Sequence, residues 1–248
     1  MHSFIDNVVR QVISSRKKIS KCIFILPSKR AGLFLKQSIK TNLKAPSILP
    51  EIYSIEEFIE ELSQLKNIDN IEALFEFYNV YKDLTPLKDL EPFSRFSRWA
   101  SVMLQDFNEI DRNLIPPNKI FNYLDAIHDI NHWSLDSTPT KMVKDYLKFW
   151  KKINLYYNNF SKQLLNNGAA YQGLGYKVAV QNLDNYINNT SRKSHIFLGF
   201  NALNKSEELI FQRLLEEGIA EVFWDCDRTF LDSKFHDSGL FMRNYIKT

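Results

Sequence analysis

The chain shows two main patterns of apolar residues. Short apolar runs lie near both ends, and between them apolar residues recur at helical spacing. Three nearly continuous apolar runs bounded by turn residues predict buried parallel strands: residues 22–26, 194–200 and 220–224. Residues 45–53 contain two prolines and predict a broken, extended segment whose pieces 48–49 and 52–53 pair. The predicted strands therefore form two groups that are far apart along the chain.

Helical spacing predicts a helix at the start of the chain, one after each of the first two buried strands, one after residues 45–53 and several through the middle. Ser28 is a good N-cap after the first strand, and Ser54 with Glu57 forms a capping-box pattern. Residues 204–217 predict a capped helix that ends at Gly218. The middle segments have a helical period, with prolines at several of the gaps and no predicted strand: residues 69–81, 93–110, 118–132, 141–168 and 172–189.

These patterns predict an α/β fold in which one parallel sheet is split by a large, all-helical insertion. The expected sheet domain comprises residues 1–56 and 191–248, and the insertion comprises residues 57–190. The chain ends without a further strand to complete the sheet, so we expect it to be a fragment of a longer protein.

Composition narrows the class of protein without deciding its function. A hydrophobic content of 44% is ample for a packed core, and a net charge of +3 permits nucleic-acid contact without demanding it. Cys22 and Cys226 lie in apolar runs and are expected to be small buried residues in a reducing compartment. No apolar run is long enough to span a membrane and no secretion signal is present, so a cytoplasmic protein is expected.

The turn after the first strand is the first candidate site. Lys29 and Arg30 open a helix at the carboxyl end of a predicted parallel strand, where a helix N-terminus can bind an anion such as phosphate. The alternative is a solvated turn whose cations contribute only solubility. No G-x-x-x-x-G-K-[ST] sequence is present, so no phosphate-binding P-loop is predicted.

Two other pairs of residues are candidate metal ligands. Asp225 and Asp227 follow the last predicted strand and can hold Mg²⁺, although such a pair is also common in turns. His128 and His132 lie four residues apart on a predicted helix, but no third zinc ligand accompanies them. We therefore expect no resident metal or cofactor.

Aromatic residues crowd the predicted insertion. Interleaved with Lys and Arg, such residues can stack on bases, but their helical spacing indicates a core. Gly173 and Gly175 lie inside a predicted helix and indicate local packing. The aromatic set is Phe93, Phe96, Trp99, Trp133, Tyr146, Phe149, Trp150, Tyr156, Tyr157 and Phe160.

A succession of sequence blocks resembles the N-terminal part of AddB-like proteins of the PD-(D/E)XK nuclease family, which are helicase–nuclease subunits of bacterial double-strand-break repair. The resemblance covers essentially the whole chain and keeps the blocks in order. The blocks are LPSKRAG (26–32), LPEIYSIEEFI (49–59), QDFNEID (105–111), INHWSL (130–135), AYQG (170–173) and FLGFNAL (197–203).

The resemblance implies a RecA-like, superfamily-1-helicase-like domain with a helical subdomain inserted in its sheet. It also implies that single-stranded DNA and a partner helicase–nuclease subunit bind to the chain, in the context of homologous recombination. In helicases of this class the segments that match LPSKRAG and YSIEEF contact the DNA strand. The residues implied as nucleic-acid-binding are Ser28, Lys29, Arg30, Tyr53 and Ser54.

The chain departs from an active helicase in two ways. It has no Walker A loop, and Leu198-Gly199-Phe200 stands where Walker B carboxylates would hold Mg²⁺. The nuclease motif of the family is also absent from this chain. We therefore expect DNA binding and scaffolding without ATP hydrolysis or DNA cleavage. Two alternatives stay open: a metal-dependent α/β enzyme that uses Asp225 and Asp227, and a purely structural domain that docks a partner.

Overall fold

The structure is a computed structural model, and the chain divides into two compact units. The sheet unit comprises Met1–Leu62 and Val180–Thr248, and the helical unit comprises Ser63–Ala179. The residues that the structure describes are 3–15, 18–43, 45–121, 141–190, 193–233 and 235–245, with the backbone alone for 141–151.

Helices alternate with short strands along the described residues. The strands are β1 (Cys22–Leu26), β2 (Glu51–Ser54), β3 (Lys66–Asn67), β4 (Ala169–Ala170), β5 (Ser194–Leu198) and β6 (Ala220–Phe223). The longer helices are α1 (Phe4–Ser14), α2 (Lys29–Asn42), α3 (Ile55–Ser63), α4 (Asn70–Leu84), α5 (Phe93–Arg112), α6 (Lys141–Asn166), α7 (Gln172–Asn189), α8 (Lys205–Glu216), α9 (Arg228–Asp232) and α10 (Leu240–Tyr245).

The sheet unit is built on a four-stranded parallel sheet in the order β2-β1-β5-β6. The prediction that strands from the two ends of the chain share one parallel sheet is therefore confirmed. Every residue of β1 is buried, because strands flank it on both sides and helices cover both faces of the sheet.

Two groups of helices cover the faces of this sheet. On one face, Val9 of α1 and Leu35 of α2 pack in the same cluster as Phe24. On the other face, the Phe197 ring contacts Phe58 of α3 and Phe211 of α8. The alternation of side chains along each strand thus serves two separate cores, as expected for a central parallel sheet.

Two predicted strands differ from the structure. Residues 48–49 form no strand: Ile48 and Leu49 are 79% and 51% exposed, and β2 begins only after Pro50, which has no N–H to donate to a ladder. The last strand, β6, is half-buried rather than buried, because it lies at the edge of the sheet. Cys226 lies beyond it and is partly exposed, whereas Cys22 is buried as expected.

The helical unit has an aromatic core. Phe77 of α4 lies at its centre, with ring contacts to Phe96, Phe107 and Phe160 at 5.2–5.8 Å. Tyr156 and Tyr157 are also buried there, which confirms the core interpretation for these members of the aromatic set. Trp133 and the side chains of Tyr146, Phe149 and Trp150 lie outside the described residues.

The prediction that the insertion is all-helical is wrong in one respect, because this unit contains two short strands. Lys66 and Asn67 of β3 pair in parallel with Ala169 and Ala170 of β4. Two residues are too few to show a period, so no hydrophobic pattern indicated β4. Gly168 directly precedes β4 with a φ of 65°, a left-handed conformation that glycine adopts readily after a helix.

A buried carboxylate ties three parts of the helical unit together. The carboxylate of Asp111 on α5 accepts hydrogen bonds from the hydroxyl groups of Tyr157 and Tyr171, and it pairs with the Lys177 ammonium at 3.0 Å. Nearby, the Gly173 amide donates to the Asn108 side chain at 2.6 Å. The blocks QDFNEID and AYQG are thus the two halves of one contact.

Removal of a single hydrogen bond to Asp111 should destabilise the helical unit measurably. We expect Tyr171→Phe to lower the free energy of unfolding by about 2 kcal/mol, because its hydroxyl serves a buried charge. Tyr78→Phe is the matched control, since the Tyr78 hydroxyl donates to the neutral carbonyl of Glu91, and it should cost about 1 kcal/mol. Urea denaturation checks both values, and equal losses would contradict a special role for Asp111.

A buried histidine lies in the sheet unit. The Nε2 atom of His195 on β5 is 2.7 Å from the Tyr186 hydroxyl, and its Nδ1 atom is 3.2 Å from the carbonyl oxygen of Ile219. Because a carbonyl can only accept, Nδ1 carries the proton and Nε2 accepts from Tyr186. Burial lowers the pKa of His195 below its ordinary value, and the Glu51 and Lys193 charges act on it in opposite directions.

The sheet unit should therefore lose stability on mild acidification. Above an unfolded-state pKa of about 6.5 the His195 contribution is fully present. As the pH falls below that value, the unfolded chain takes up a proton first, and stability falls by at most about 1.4 kcal/mol per pH unit. Urea midpoints at pH 7.5 and 5.5 measure this slope. His195→Asn should reduce it, and an unchanged slope in this variant would refute the assignment.

Candidate nucleic-acid interface

The turn between β1 and α2 has the predicted geometry. After Leu26 the chain turns through Pro27, and Ser28 caps α2 with its hydroxyl, which accepts from the Ala31 amide at 3.3 Å. The first turn of α2 therefore begins at the carboxyl edge of the sheet. Ser28, Lys29 and Arg30 are all exposed there.

The junction between β2 and α3 is a second helix start at the same edge. The Ser54 amide donates to the Glu57 carboxylate at 2.8 Å, and the Glu57 amide donates to the Ser54 hydroxyl at 3.3 Å. This reciprocal pair is the predicted capping box. Ser54 is only 2% exposed, so the main role of its hydroxyl is to cap α3.

Strand register places the two junctions next to each other. β1 and β2 are parallel, with Ile25 opposite Tyr53 and Leu26 opposite Ser54. The two strands thus end level, and both following helices begin at this edge. The structure brings together all five residues that were implied as nucleic-acid-binding, although they come from segments more than twenty positions apart in the sequence.

An ion pair links the two helix starts. The Lys29 ammonium lies 3.1 Å from the Glu57 carboxylate. The Glu57 hydrogen bond and charge raise the pKa of Lys29, with smaller contributions from Glu60 and Glu56. Partial burial acts to raise the pKa of Glu57, but the Ser54 hydrogen bonds and the Lys29 charge together hold it below its ordinary value. An anion that binds Lys29 must therefore compete with Glu57.

Arg30 and Tyr53 occupy different environments at this edge. Arg30 is exposed, and within the described part of the chain it has no ion-pair partner. Its guanidinium is therefore available to an incoming anion. Tyr53 is half-buried, and this burial raises the pKa of its hydroxyl. Part of the Tyr53 ring is therefore packed inside the protein.

A glycine lets α2 approach β2 closely. A Cβ atom at Gly32 would lie 3.3 Å from the Cγ2 atom of Ile52, tighter than an ordinary contact. The glycine of LPSKRAG thus supports the arrangement of the two segments by packing.

At the alternative metal site of Asp225 and Asp227, one of the two carboxylates caps a helix. The Asp227 carboxylate accepts from the Thr229 amide at 2.8 Å and caps α9, and this backbone hydrogen bond lowers its pKa. No group of three or more His, Cys, Asp or Glu side chains in the described ranges is arranged to hold a metal ion. His128 and His132 lie outside the described residues.

The end of β5 is formed by apolar residues and a glycine. Gly199 has a φ of 76°, and its amide donates to the Phe223 carbonyl at 3.2 Å. Phe200 is buried against Phe211. The position that the resemblance assigns to Walker B carboxylates is therefore used for packing and strand pairing.

No protein-family model matches this chain, and no curated protein sequence matches it. The resemblance to AddB-like proteins thus stays a prediction that rests on the motif blocks. No helix among the described residues is long and apolar enough to cross a membrane.

The contacts of Glu57 at this edge were predicted only in part. Its place in the capping box was predicted, but its contact with Lys29 was not. The signal was available in principle: if the two strands are parallel neighbours that end level, residues at the start of the following helices must meet.

Proposed function

We propose that this chain is a helicase-like module that binds and guides single-stranded DNA without hydrolysing ATP, within a helicase–nuclease of double-strand-break repair. The DNA backbone would cross the carboxyl edge of the sheet at β1 and β2. The interrupted parallel sheet is compatible with the RecA-like fold that the resemblance implies, and the proposal extends to that fold.

The observation that carries the proposal is the register of β1 and β2. It places LPSKRAG beside YSIEEF, the two segments for which the resemblance implies DNA contact. Two helix N-termini at one edge supply partial positive charge and backbone N–H groups, which suit phosphate. Lys29 and Arg30 add cations at the same place.

The neighbouring carboxylates limit the expected affinity. Glu57 holds Lys29, and Glu56 and Glu60 lie close enough to influence it. Binding should therefore involve few phosphate contacts and should depend on salt. Two contacts to a single strand correspond to a slope of log K against log salt of about −1.4.

The absence of both nucleotide-binding parts from the sequence supports a role without ATPase activity. A P-loop needs the complete sequence G-x-x-x-x-G-K-[ST] after a strand, and this chain does not contain it: Asn204 stands where the second glycine would precede Lys205-Ser206. Apolar side chains occupy the end of β5. The proposed module thus contributes a binding surface for the DNA strand, and a partner subunit would supply the energy that moves the DNA.

Titration of a fluorescently labelled oligothymidylate by anisotropy, at low and high salt, tests this proposal. Lys29→Ala/Arg30→Ala should weaken binding about fivefold or more at low salt, because two exposed charge contacts are lost. It should also reduce the salt slope by about 1.4. Lys36→Ala/Lys40→Ala removes the same charge further along α2, away from this edge, and is the matched control.

Glu57→Gln is a second test, for which the expected change in DNA affinity has the opposite sign. The glutamine oxygen can still accept from the Ser54 amide, while the charge that competes for Lys29 is removed. We expect DNA affinity to rise about two- to fivefold. Equal effects of the two double variants, or no binding by the wild type at low salt, would contradict the proposed interface.

A further inference from the structure

A second concave surface of the sheet unit lies far from the β1–β2 edge, beside the opposite edge strand. It is a groove of about 350 Å³ between α8 and β6. Phe211 and Leu215 of α8 and Val222 of β6 form its apolar part. This size falls at the lower end of the range of roughly 300–1,000 Å³ that is typical of ligand sites.

Aromatic residues form one preorganised wall of the groove. The Trp224 and Tyr245 rings stack with centroids 5.3 Å apart and planes 15° apart. The Tyr245 hydroxyl accepts from the Leu203 amide at 2.9 Å, which fixes the ring against the loop after β5. The wall is therefore held by contacts within the chain and does not need a ligand to form.

The α8 side of the groove is a stripe along one helix face. Glu208, Phe211, Gln212, Leu215 and Glu216 recur at helical spacing, with the apolar residues between the carboxylates. Leu215 is 43% exposed, so its apolar surface is only partly used by the fold. The stripe is about 12 Å long at 1.5 Å per residue, which matches a peptide segment of a few residues.

Charge decides what kind of partner fits. Residues 203–227, which include α8 and β6, contain seven acidic and two basic residues, a net charge of −5, whereas the whole chain carries +3. Such a local excess of negative charge repels a phosphate backbone and attracts cations. An apolar floor with carboxylates at its rim is complementary to apolar side chains flanked by Lys or Arg.

We propose that this groove docks a basic, apolar segment of a partner protein. Apolar side chains of the segment would occupy the space over Leu215 and against Trp224. Its Lys or Arg side chains would pair with Glu208 and Glu216, in competition with Lys205 and Arg213, which lie 3.0 and 3.8 Å from these carboxylates within α8. The site is separate from the proposed DNA interface, since it lies at the other edge of the sheet and has the opposite charge. It does not depend on the chain binding DNA.

Selection from a phage-displayed library of random dodecamers on the immobilised chain tests the proposal. Enriched sequences should combine apolar residues with Lys or Arg. A synthesised winner should bind about tenfold more weakly to Leu215→Glu and to Glu208→Lys/Glu216→Lys. Leu33→Glu, at a 66% exposed leucine of α2, is the matched control and should bind like the wild type.

The alternatives give distinct results. No enrichment, enrichment of acidic peptides, or winners that bind equally to Leu215→Glu would each overturn the proposal. Loss of oligothymidylate binding in Leu215→Glu, without loss of a selected peptide, would assign the groove to nucleic acid instead. The affinity of the selected peptides should be unaffected by Lys29→Ala/Arg30→Ala. Failure of the DNA proposal and failure of this one are therefore distinguishable. Circular dichroism of each variant confirms that it is folded.

Discussion

The parallel pairing of β1 with strands on both of its sides is the constraint on which the rest of the sheet unit depends. β2 follows β1 closely in the sequence, whereas β5 comes after the whole helical unit in the sequence. Both strands pair with β1 in parallel. All five β1 side chains are buried as a result. A slip of one residue would exchange the two faces of the strand and disrupt both cores, so the hydrophobic pattern strongly specifies the register. That register also sets which turn residues meet at the carboxyl edge.

Glu57 illustrates how the same residue can serve both the fold and the proposed function. Its carboxylate completes the cap of α3 and neutralises Lys29 of α2. In the free chain this ion pair offsets the charge of Lys29, which would otherwise add to the partial positive charge at the N-terminus of α2. In the proposed complex a phosphate would take the place of the carboxylate beside Lys29. Binding of this kind is an exchange of ion pairs, and its net free energy is small.

The sequence allowed much of the local structure to be predicted but little of the long-range contact. Ser28, Ser54 and Asn204 cap helices as their side-chain chemistry indicated, because a cap is a contact over three residues. The partners of Asp111, in contrast, lie 46 to 66 residues away on other elements. Periodicity assigns each helix its buried face, but it does not tell which residue on one face meets which residue on another.

The same distinction explains the errors in the sheet. The burial of β6 was overestimated because an apolar run looks alike at the centre and at the edge of a sheet, and the strand order decides between them. The five residues proposed to bind DNA were named from a resemblance. Their juxtaposition is a consequence of strand register that no single stretch of sequence contains. The acidic groove at the other edge was not predicted at all, since its walls come from α8, β6 and α10.

Photochemical crosslinking of a 5-bromodeoxyuridine oligonucleotide, followed by mass spectrometry of the attached peptides, tests the central claim most directly. The account predicts adducts in the segments around residues 28–34 and 51–58, where Phe34, which is 58% exposed on α2, and the half-buried Tyr53 offer reactive rings. Addition of excess salt should abolish these adducts. Crosslinks concentrated in the acidic segment 203–227, or spread evenly over both units, would contradict the proposed DNA interface.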